Sequence, residues 1–99
     1  MIRGTTPTLE FFLPFNAGVL AKAYITFEQN GAVVLEKTLE ECVCSGEKIT
    51  LKLTQEDTLK LKSGSFSEIQ IRAKTQAGEA LASNIMRDST MRILKDGVI

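Results

Sequence analysis

The sequence contains no histidine and no tryptophan, one tyrosine, two prolines, and two cysteines. It also carries no net charge, with 12 Lys and Arg against 12 Asp and Glu. Each shortage removes a class of function. Without His there is no Ser-His-Asp or Cys-His nucleophilic system, no imidazole general base and no His-bearing zinc or iron site. Without surplus positive charge there is no sequence-independent grip on nucleic acid. No apolar run approaches the roughly 20 residues that cross a bilayer, so no membrane partner is expected. The opening residues, Met1 to Thr8, lack the apolar stretch of a secretory signal, and synthesis in a cytoplasm is the expectation.

The remaining polar candidates are weak. Cys42 and Cys44 stand one residue apart, too close for an unstrained intrachain bond, and two thiols are half a zinc site at most. They read as small residues that tolerate burial, with an intermolecular or metal-sharing role as the alternative. Glu40 and Glu41 read as a charged loop, and Glu56 and Asp57 as charges at a helix start. Asp88 and Asp96 lie in polar segments without an evident partner. Arg3-Gly4-Thr5 lacks the spacing and surroundings of a phosphate loop. No catalytic, cofactor or metal residues are assigned, and the chain is not expected to be an enzyme.

What the sequence does hold is alternation. Leu, Ile, Val and Phe make up 29 of its 99 residues, enough for one small core and too many for a disordered chain. Odd-numbered apolar residues recur at Leu9, Phe11 and Leu13, at Ala23, Ile25 and Phe27, at Val33 and Leu35, at Ile49, Leu51 and Leu53, and at Ile69, Ile71 and Ala73. Polar residues fill most positions between them. This period of two is that of strands with one buried face. Gly31 and Gly78 each follow a polar turn sequence and are expected at positive φ. Keeping apolar residues on one face predicts three-residue loops. That pairs Phe27 with Val33 and Ile25 with Leu35 in the first hairpin, and Ala73 with Leu81 and Ile69 with Ile85 in the second. The polar stretch from Arg87 to Thr90 is a candidate for a bulge or strand switch.

Thr54 can cap a short helix over 55–59, which would carry the chain between sheets with Leu59 or Leu61 closing one end. Ser63-Gly64-Ser65 is then a turn. The whole reads as a single all-β domain over 1–99, an immunoglobulin-like antiparallel sandwich of six or seven strands with one helical turn. A small barrel is the alternative. Residues 1–7 and 95–99 are candidate arms. Phe12 and Tyr24 fall in the polar phase of their strands and Phe15 follows a proline. With Val98 and Ile99 they are the candidate protein-interface residues.

Several stretches together resemble a known group. They are Met1 to Thr8, Leu13-Pro14-Phe15, Tyr24 to Gly31, Ile49 to Leu59, Ile69 to Arg72, Gly78 to Ser83 and Leu94 to Ile99. This pattern resembles small structural proteins of Firmicutes prophages from the tail or baseplate region. It is similar too to the amino-terminal sandwich domain of baseplate upper proteins of lactococcal-type phages. The resemblance implies a virion component, made in the host cytoplasm, whose partners are other virion proteins and copies of itself. It implies no catalytic residues. The competing reading is a small ligand- or carbohydrate-binding sandwich, for which zero Trp and a single Tyr are a poor aromatic supply.

Overall fold

A computed structural model describes residues 1–99. Eight strands form two antiparallel sheets. The smaller sheet has the order β1-β5-β4, from Thr8–Phe12, Lys48–Lys52 and Val43–Ser45. The larger has the order β3-β2-β6-β7, from Ala32–Thr38, Leu20–Gln29, Phe66–Thr75 and Ala80–Ala82, with β8 (Met86–Ser89) also on β6. Successive strands change sheet after β1, β3 and β5. This connectivity is that of an immunoglobulin-like sandwich, with β1 at one edge of the smaller sheet. The strand count is eight, not six or seven, because the stretch after Gly78 breaks into two short strands.

The alternation builds the core as read. Ile25, Phe27, Ile49, Leu51, Leu53, Ile69 and Ile71 are buried between the sheets. Val33 is the exception, 57% exposed, and the first hairpin explains it. Asn30 (φ 53°) and Gly31 (φ 79°) form a two-residue loop with both residues left-handed. The expected pairings of Phe27 with Val33 and Ile25 with Leu35 are therefore corrected. Phe27 faces Leu35, Ile25 faces Lys37, and Glu28 faces Val33. A bulge at this point leaves Val34 without an opposite residue and returns Leu35 to the interior.

The second hairpin has its expected Ala73–Leu81 pair and positive φ at Gly78 (93°). Further along, Ile69 faces Met86, not Ile85. The irregularity lies at Ser83–Ile85, not at Arg87–Thr90, most of which is β8 itself. Ser83 holds it together: its N–H donates to the Ile71 carbonyl (2.9 Å), and its hydroxyl accepts from the Ile71 N–H (3.0 Å).

Helix α1 (Gln55–Leu59) connects the sheets, with Thr54 as its cap. The Asp57 N–H donates to Thr54 Oγ1 (3.1 Å), and the Thr54 N–H donates to Asp57 Oδ2 (2.9 Å). Leu61, 1% exposed, closes that end, while Leu59 is half-buried. The amino-terminal segment, a candidate arm, is held against the same end. Arg3 donates to the carbonyls of Leu61 (2.7 Å) and Leu59 (3.1 Å), and Ile2 bridges Met91. At the other terminus the Ile99 backbone exchanges two hydrogen bonds with the Gln55 amide. Asp88 and Asp96, read as partnerless, pair with the Met1 amine (3.0 Å) and Arg3 (3.6 Å).

Candidate functional site

Strand β1 is an edge of the smaller sheet and pairs only with β5. The Leu13 N–H donates to the Glu47 carbonyl (2.8 Å) and the Leu53 N–H to the Pro7 carbonyl (2.9 Å). With the in-register pairing of β1 and β5, this turns the backbone groups of odd residues toward β5. The N–H and C=O groups of Thr8, Glu10 and Phe12 therefore face outward from the sheet edge. On the facing sheet, β7 and β8 are edge strands as well.

Between these edges runs a cleft of about 580 Å³ with 11 apolar residues among its 14 lining residues. Phe12, Phe15, Leu81 and Met86 belong to its walls, and the buried Phe11, Ile49 and Ile71 reach it from the core. Phe12 is 76% exposed because it occupies an outward position of β1. Phe15 is half-buried, placed by the turn after Pro14 that leads into a 3-10 turn at Ala17–Val19. Such a cleft can hold an apolar side chain while the bare edge of β1 hydrogen-bonds an extended segment.

The five candidate interface residues do not form one patch. Phe12 and Phe15 meet at the cleft. Tyr24 lies on the outer face of the larger sheet, in a shallow depression with Lys22, Glu36, Arg72 and Lys74. Val98 and Ile99 are exposed beside α1. Leu81 and Met86 are not among the interface candidates read from the sequence. Their strand, interrupted at Ser83–Ile85, lacks a clean alternation.

Among the polar candidates, Asp57 and Glu41 have ion-pair partners within the chain. Asp57 is 5% exposed and forms a 2.9 Å ion pair with Lys37, which β3 turns inward at its edge. Burial opposes ionisation of Asp57, but the Thr54 N–H and Lys37 together hold its carboxyl below the usual range. Burial likewise opposes the charge on Lys37, and Asp57 and Glu41 outweigh it and raise the ammonium pKa. Glu41 lies in a 3-10 turn at Leu39–Glu41. The Thr38 N–H, and then Lys37, lower its pKa. Of the two cysteines, Cys42 is half-buried and Cys44 is exposed, which corrects the expectation of burial for Cys44. Burial, with the neighbouring Cys44 and glutamates, raises the Cys42 thiol above its ordinary value.

The fold and this cleft define a small immunoglobulin-like sandwich with one strand position open. No family model, curated protein or solved structure matches the chain.

Proposed function

We propose that the chain is a non-enzymatic structural or assembly protein of a phage or prophage particle, from its tail or baseplate. It is made in the host cytoplasm and acts through contacts with other virion proteins. The observation that carries this reading is the apolar cleft beside the bare edge of β1. An open strand position flanked by Phe12, Phe15, Leu81 and Met86 suits insertion of an extended segment from a neighbour. The resemblance of several strand and turn segments to prophage tail and baseplate proteins supplies the setting. Mass spectrometry of particles purified from a producing culture tests it. The chain is expected at a fixed ratio to the major tail proteins, and its absence from purified particles contradicts the reading.

A second reading, binding of a small ligand or carbohydrate, draws on Tyr24. Its ring lies beside polar side chains in a depression of about 380 Å³, the combination a sugar site needs. Titration of labelled protein with cell-wall oligosaccharides tests this reading through the shifts of residues around Tyr24.

A further inference from the structure

The outer face of the larger sheet has a charge pattern that the chain does not use internally. From Lys22 to Glu28 on β2 and from Phe66 to Lys74 on β6, even-numbered side chains point away from the core; the register shift between Leu20 and Lys22 turns Leu20 inward. At one end of this ladder Lys22 stands directly opposite Lys74, with Arg72 in the next outward row opposite Tyr24. At the other end Glu28 stands directly opposite Glu68. Like charges in cross-strand pairs oppose sheet formation, yet the ladder contains two such pairs of opposite sign. Thr26 and Gln70 separate them. Lys22, Lys74, Arg72, Glu28 and Glu68 make none of the ion pairs in the chain. Glu36, opposite Thr26 in the row between the two ends, accepts a hydrogen bond from the Thr26 hydroxyl (3.1 Å). Arg87, opposite Glu68, stacks on the Phe66 ring (4.5 Å) and forms no ion pair with that carboxylate.

The lysine and glutamate pairs lie six residues apart on each strand, roughly 20 Å at the rise of an extended chain. A two-fold axis lying along the face, across the strands and midway between the pairs, reverses this pattern. It sets the basic end of one copy over the acidic end of the other, so both like-charge pairs gain opposite partners together. We propose that this face is the contact surface for a second copy of the chain, packed antiparallel, β2 over β2. Tyr24, 42% exposed, lies near the centre of the contact. Zero net charge leaves no overall repulsion against such pairing. The contact is polar, so the dimer is weak and salt-sensitive. The inference does not depend on the origin of the chain or on the cleft at β1, which lies elsewhere on the molecule.

Sedimentation velocity of the full chain tests it, at low salt and again at about 0.5 M salt, where screening acts within a few ångströms. The wild type is expected to show a monomer–dimer equilibrium at low salt that weakens at least tenfold at high salt. Two double variants follow, K22E with K74E, and E28K with E68K. The first makes the face acidic and the second makes it basic, so each alone is expected to be monomeric. An equimolar mixture of the two is expected to dimerise as a heterodimer, which also controls for folding. A wild type that stays monomeric overturns the proposal. So does a dimer that survives both reversals, or a mixture that stays monomeric. A dimer indifferent to salt and to both reversals but lost in Phe12→Glu moves the contact to the β1 cleft and rejects the outer face.

Discussion

Ile71 occupies a position where two demands meet. It faces Ile25 across the ladder, is 5% exposed, and borders the cleft beside β1. Truncating such a side chain removes its burial and leaves a void that the two sheets cannot fully close. Ile71→Ala is therefore expected to cost about 2–5 kcal/mol in a urea titration. A loss below about 1 kcal/mol would place this residue outside the true core. Burial of this kind was legible in the sequence, because a period of two assigns each side chain to a face without reference to the partner strand. Partners across space were not legible. Lys37 and Asp57 lie on different elements, and only the closed sandwich brings them to 2.9 Å. Asp88 gains the Met1 amine in the same way.

Helix α1 is too short to persist alone, and its start is fixed by reciprocal bonds between Thr54 and Asp57. Asp57 also anchors the edge strand β3 through Lys37, so one carboxylate fastens both elements. Its folded pKa is depressed, as is that of Glu41. The unfolded chain takes up these protons first as the pH falls. Their stabilisation is therefore complete above about pH 4–5 and is lost as the pH drops through the folded values. Thermal melts are expected to decline below about pH 4. Asp57→Asn is expected to cost about 1–3 kcal/mol at neutral pH, since half-buried Lys37 keeps its charge with only Glu41 left to pair it, and to flatten the acid decline. An unchanged acid limb in that variant would show that Asp57 is not the group responsible. The elements themselves were only partly readable. The second hairpin has the expected three-residue loop, whereas face-keeping alone pointed to the wrong loop in the first. Asn30 and Gly31 favour a two-residue turn, and the bulge at Val34 restores the face afterwards. Nothing in a strict alternation rule allows for one inserted residue.

Taken whole, the molecule is a sandwich closed at the α1 end and open along one side. Arg3, Thr5 and Met91 tie the termini around α1 and its connection to β6. The β1 edge and the cleft have no such cover. The sequence marked Phe12 and Phe15 as interface candidates, but it did not reveal the cleft, because Leu81 and Met86 reach it only through the pairing of β7 and β8 with β6. This open side is where the chain is proposed to join its neighbours. Phe12→Glu addresses it directly, since a 76% exposed side chain contributes little to the fold, and the change is expected to move stability by less than about 1 kcal/mol. The decisive measurement is the amount of folded Phe12→Glu protein incorporated into purified particles relative to wild type. Exclusion of a variant with an unchanged melting temperature is the predicted result, and incorporation at the wild-type level would contradict the account.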